Sequence, residues 1–240
     1  MDARYLNAFT ALDYAALALL LVAWFGSSWF IEHPPASRPS TAKIMAQYRR
    51  VWMVAFLHRD PRIFDSQIVS SLRQSTAFFA SGSMIAIGGG FALLGNAERL
   101  RGVAQDLTQV TDPVIVWEIK IFVMLGFAVN AFLKFVWSHR LFGYCSILMA
   151  AVPNDPEDPV ALPRARKAGE INVTAGRGYN RGLRSVYFGI ASAAWLAGSV
   201  PLIVATLFTL GVVLRREFTA ESRTILLETT DGMPEFPPKK

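Results

Sequence analysis

Four long stretches of this chain carry so few charges that a lipid bilayer is the one solvent that suits them all. Crossing a hydrocarbon core takes about 20 helical residues at a rise of about 1.5 Å each. Such runs occur at about 12–31, 77–95, 113–137 and 186–214. Only 18% of the 240 residues are charged and 52% are hydrophobic, against roughly 25% charged in soluble domains. A soluble domain of this size would lack polar surface to cover itself. The expected fold is therefore all-α: a membrane bundle of four transmembrane helices in one domain over 1–230, followed by a disordered tail at 231–240.

Local signals set the ends of these helices. The first run stops at Glu32, His33 and the Pro34-Pro35 pair, which cannot continue a helix. The second is preceded by Asp60-Pro61 and the third by Asp112-Pro113. In each case a capping residue precedes a proline that the first helical turn tolerates. The second helix is thus expected to begin at 61, with a cytosolic extension before its apolar part. Pro201, near the middle of the fourth run, predicts a kink. The first run is too long for a signal-peptide core and lacks a basic flank, and it reads as a retained helix.

Basic residues give the orientation. Seven lysines and arginines lie from Arg38 to Arg73 and seven from Arg140 to Arg184; eight lie at the N-terminus, in the second loop and in the tail. Positive charge collects on the cytoplasmic side, so both long loops are expected in the cytoplasm of an inner membrane and both termini outside. Arg215 and Arg216 run against that assignment. Within the first long loop, Thr41 to Arg59 places Ile44, Tyr48, Val51, Trp52 and Ala55 on one helical face, the pattern of an amphipathic helix at a membrane interface. Pro163 is expected to open a second short interfacial helix.

Four segments in order carry a family resemblance: YRRVWMVAFLHRDPRIFDSQI, FFASGSMIAIGGGFALLG, FLKFVWSHRLFGYCSILMAAVP and YNRGLRSVYFGIASAAWL. Together they resemble the bacterial and plant membrane proteins grouped as domain of unknown function family 599, from about Leu12 to Leu226. The resemblance implies a multi-pass topology and no activity. Similar proteins tend to have FFAST where this chain has FFASGS with Gly82, which weakens a role for a hydroxyl there.

The inventory for chemistry is thin. His33, His58 and His139 fall in three segments without a metal-binding spacing, and Cys145 is the single cysteine, so neither a disulfide within the chain nor a cysteine-based metal site follows. No catalytic residue, cofactor or metal is expected. Gly176 to Gly182 has the spacing GxGxxxG with no strand before it, unlike a dinucleotide or Walker loop. It flanks a membrane segment, or its amides and arginines hold a lipid phosphate. Nucleic-acid binding is not expected, because topology accounts for the basic charge.

Three further groups stand out. Arg49, Arg50, Arg59, Arg177, Arg181 and Arg184 are candidates for binding anionic lipid or an acidic partner, while Arg62 and Asp65, three apart on one helix, form a candidate ion pair. Glu118 and Lys120 are ionisable groups inside the third helix, which are costly there and point to function; Lys120 either snorkels outward or faces a partner in the bundle. Gly82, Ala86 and Gly90 recur every four positions and would let another helix approach closely. The functional expectation is a lipid-associated scaffold or accessory subunit, as a homo-oligomer or within a membrane complex. A small oligomeric transporter or channel is the alternative, with an enzyme on lipid-like substrates third.

Overall fold

The computed structural model describes residues 9–99, 101–102 and 113–227, which form helices and turns. The helices are α1 (Ala11–Glu32), α2 (Thr41–Ala55), α3 (Ile63–Leu94), α4 (Val114–Ala150), α5 (Ala161–Ala193), α6 (Ser199–Phe218) and the short α7 (Glu221–Leu226). Helices α1, α3, α4 and the Ser199–Leu226 segment are long and apolar enough to cross a membrane. The Asp112 cap and the 231–240 tail lie outside the described residues.

Several helix ends have a local cause. Thr10 and Asp13 bond reciprocally, side chain to backbone, at the start of α1, which satisfies amides that the first turn leaves open. Ser40 works in two directions: its Oγ donates to the Ile31 carbonyl at 2.7 Å and accepts from the Lys43 amide at 3.2 Å. One buried hydroxyl thereby ends α1 and caps α2. The Asp60–Pro61 bond is cis, and α3 begins at Ile63 rather than at Pro61. At the far end of α4, the Arg62 guanidinium donates to the carbonyls of Val152 and Pro153, at 2.8 Å each, and Arg164 donates to Ala151 at 2.7 Å. Cations there oppose the negative end of the helix dipole.

The last apolar run differs from expectation. The short helix expected to open near Pro163 continues for 33 residues as α5, and the helix expected over 186–214 is broken. The break is at Gly198, whose φ of 123° is open to glycine alone among common residues. Pro201 then sits in the first turn of α6, where its missing amide hydrogen costs nothing, so it produces no kink.

Contacts divide the chain into two compact units. The first comprises Met1–Phe30, Ala80–Leu133 and Arg181–Leu214; the second comprises Ile31–Phe79, Lys134–Asn180 and Arg215–Lys240. In the first, Ala16, Leu20 and Ala23 of α1 are buried, and Phe127 of α4 meets the Trp24 ring at 4.8 Å. In the second, Met53, Phe56, Val69, Leu141, Phe142 and Cys145 join a core completed by α5. There α5 contributes Ala161, Ala165, Ala168, Asn172 and Ala175, all fully buried. Their alternating spacing of four and three residues makes a narrow stripe of small side chains on one face. Close packing is the result: a Cβ on Gly169 would touch Met53 at 3.4 Å.

Candidate functional site

The first unit gathers polar side chains among apolar ones. The Trp195 indole nitrogen donates to Asp13 Oδ1 at 2.8 Å, and the Ser199 hydroxyl donates to the same oxygen at 2.5 Å. Lys120, only 4% exposed, holds its ammonium 5.4 Å from the Trp117 ring centroid and 5.9 Å from that of Trp195. Ring faces attract a cation more strongly when water is excluded. Farther along α5, Ser185 accepts from Asn130 Nδ2 at 2.6 Å, and Arg184 Nε donates to the Ser28 hydroxyl at 3.0 Å. Such partners offset the cost of taking polar groups out of water. Three buried atoms among the described residues of this unit, Arg101 Nε, Trp117 Nε1 and Thr206 Oγ1, have no hydrogen-bond partner. Lys120 is enclosed rather than extended to the surface, and Glu118, two residues before it, is half-buried. Asp13, Asn130 and Trp195 escaped the sequence reading, although a carboxylate and an amide inside apolar runs are visible in the chain.

The second unit is organised by arginines. Arg49 donates to Asn172 Oδ1, whose Nδ2 donates to the Cys145 sulfur at 3.5 Å. Gly176 makes room for that guanidinium, since a Cβ there would lie 3.0 Å from Arg49 Nε. Burial pulls the Arg49 pKa below its ordinary value, yet a guanidinium starts so high that it keeps its charge near neutral pH. Arg50 grips Glu170 with two bonds, at 2.5 and 3.2 Å. Asp65, fully buried, accepts from the Trp52 indole at 2.6 Å and from Arg59. The second oxygen of that carboxylate has no partner.

Several sequence-derived groupings change as a result. Asp65 pairs with Arg59 and not with Arg62, because Arg62 is drawn to the open carbonyls after α4 and stacks 4.5 Å over the Phe56 ring. Arg49, Arg50, Arg59 and Arg184 are engaged by side chains of this chain; Arg177 and Arg181 are exposed on α5, and Arg181 too has a partner within the chain. Gly176 to Gly182 is continuous helix, so its amides are already used within the helix and form no phosphate cradle. The small-residue face of α3 also divides. A Cβ on Gly90 would collide with Leu125 of α4, while Gly82 has open space around it and Ala86 is exposed.

Among the described residues, no three of His, Cys, Asp and Glu come together as a metal site would require. A half-open cleft of about 240 Å³ in the second unit lies between Phe56, Arg62, Val69, Met149 and Val152. It is mostly apolar, and its one charge is already committed to the end of α4.

Comparison with known families assigns the chain. The model of the family described as Protein of unknown function, DUF599, matches residues 15–222, and the chain belongs to that family. No curated protein and no solved structure gives a match.

Proposed function

We propose that this family member is an accessory or scaffold component of a membrane assembly, with its two arginine-rich segments in the cytoplasm, α2 along the inner-membrane surface, and anionic lipid at its exposed arginines. One contrast supports the reading. Asp13, Arg184, Arg49, Arg50, Arg59 and Asp65 are each held by side chains of this chain. By contrast, only 11% of the apolar window of α3 is buried, against 33% of that of α4. Internal polar groups are thus used to hold the fold, and a long apolar helix with Gly82 and Ala86 outward is left for other membrane components. Arg73, Arg177 and Arg181 are exposed and suit lipid phosphates, each contributing about 1 kcal/mol near an anionic leaflet.

The test separates assembly from folding. Ala86→Leu should shrink the complex seen by native electrophoresis of mildly solubilised membranes while leaving the melting temperature of the purified chain unchanged. Gly90→Leu should lower the melting temperature itself, through Leu125. A native complex no larger than one chain in its detergent micelle, or one that Ala86→Leu leaves intact, overturns the proposal. Arg177→Glu with Arg181→Glu should reduce phosphatidylglycerol retained in native mass spectra.

A second reading, a small transporter, is favoured by the enclosed Lys120 beside the unpartnered Trp117 Nε1 and by Thr206 in the same unit. Buried polar atoms without partners are where water or a solute binds. Under that reading Lys120→Met abolishes uptake into vesicles while the fold persists; under the accessory reading it alters stability alone.

A further inference from the structure

We infer that α5 crosses the membrane as a fifth span, so that the end of α6 and everything after it return to the side that holds the two arginine-rich segments. The inference is independent of the accessory reading and rests on which residues meet. Arg184 of α5 bonds Ser28 near the end of α1, whereas Trp195, just beyond α5, bonds Asp13 near the start of α1. Helix α5 therefore runs antiparallel to α1 over the fifteen residues from Asp13 to Ser28, about 22 Å of helix. Helix α4 gives the same direction, since Ser185 meets Asn130 and Trp195 meets Lys120.

Gly198 then reverses the chain, and α6 runs back. Its first residue, Ser199, bonds Asp13. At its other end Glu217 accepts from Thr41 Oγ1 at 3.1 Å and from the Ala42 amide at 3.0 Å, while Arg223 donates to the Pro39 carbonyl at 3.0 Å. A helix that starts beside the first turn of α1 and ends beside the residues that follow α1 has crossed with it. Its 20 residues correspond to about 30 Å, the thickness of the hydrocarbon core. For α6 to begin where α1 begins, α5 must have crossed in the opposite sense.

Charge agrees independently. With the C-terminal segment moved, Arg215, Arg216, Arg223, Lys239 and Lys240 join the fourteen basic residues of the two long segments, leaving Arg4, Arg99 and Arg101 on the other side. Nineteen against three, or eighteen once Arg184 is counted inside the crossing, is a stronger bias than fourteen against eight, and it removes the conflict over Arg215 and Arg216. Hydropathy passes over α5 because its polar groups, Arg184, Ser185 and Ser192, are buried against protein and not turned to lipid. The consequence for partners is direct: the basic end of the chain is offered to the cytoplasm, together with Arg177.

Single cysteines in a Cys145→Ser background test this with a membrane-impermeant maleimide on intact and permeabilised cells. Ser37→Cys marks the segment after α1, Gly102→Cys marks the segment between α3 and α4, and Ser222→Cys reports the end after α6. The expected result is that Ser222→Cys behaves as Ser37→Cys does and opposite to Gly102→Cys. Labelling of Ser222→Cys together with Gly102→Cys overturns the fifth crossing. Because the background replaces a buried thiol, the wild-type chain with a C-terminal split-fluorescent-protein tag serves as a second measurement. Fluorescence with a cytoplasmic partner fragment is expected, and darkness in cells where Ser37→Cys is cytoplasmic overturns the proposal.

Discussion

The two units solve one problem, the burial of polar groups, in different ways. In the first, the carboxylate of Asp13 is met by an indole and a hydroxyl, and Asn130 is met by Ser185. In the second, charge meets charge at Arg59–Asp65 and Arg50–Glu170. Neutral donors tolerate a neutral replacement of the group they hold, whereas a buried charge whose counter-ion is removed is left uncompensated. The difference teaches that the chemical type of a partner and the depth of burial together set how a site responds to substitution, since Asp13 is half-buried and Asp65 fully buried.

The largest expected effect tests that contrast head on. Asp65→Ala strips the partner from both Arg59 and Trp52 Nε1, and should destabilise the purified protein by about 2–3 kcal/mol, short of the range for a pair buried at both ends, because the Arg59 left behind is 39% exposed and can be hydrated. Asp13→Asn keeps an acceptor for Trp195 and Ser199, and should cost about 1 kcal/mol. Thermal unfolding in detergent reads both; equal losses would erase the distinction between the units. Next in size is Ala168→Leu on the packed stripe of α5, which should cost about 1–3 kcal/mol by overpacking. The same change at the exposed Ala86 should leave stability unaltered. The smallest effect is assigned to Arg50→Gln. Its pair with Glu170 is partly open to solvent, with side chains 20% and 38% exposed, so the loss should be about 0.2–1 kcal/mol. That loss should shrink as salt is raised; a salt-independent loss would place the pair with the buried ones.

Much of the architecture is readable from the chain because hydrophobic length is a strong signal. The apolar runs of α1, α3 and α4 stand out, and Thr41 to Arg59 is helical to Ala55 with a single tight turn after it. Helix α5 is harder to read. Hydropathy separates its arginine-rich start from its apolar end, yet both belong to one helix, and the Ala161, Ala165, Ala168, Asn172, Ala175 spacing that unites them carries little hydrophobicity. The partner of Asp65 is hidden for another reason. Spacing along one helix favours Arg62, but Arg59 precedes the helix and Trp52 comes from α2, and neither relation leaves a periodic mark. For Gly82, Ala86 and Gly90, the repeat establishes a shared face and says nothing of how much of that face one neighbour covers. Lys120 and Glu118 stand out as costly residues, whereas Asp13, which shares Trp195 with Lys120, reads as an ordinary terminal charge.

The small-residue stripe of α5 also bears on how the protein is made. Its alanines and glycines give it few apolar contacts of its own, and Arg184, Ser185 and Ser192 in its crossing part are unwelcome in lipid, so α5 gains little from leaving the insertion machinery alone. Its stability comes from neighbours synthesised earlier, α1, α2 and α4, which supply Ser28, Arg49 and Asn130. During biogenesis α1 and α4 can enter the bilayer as they emerge, and α5 follows when its binding surface on them exists. A ribosome-bound chain ending before Gly198 would accordingly hold α5 less firmly than the finished protein does, and quality-control proteases would meet that helix first.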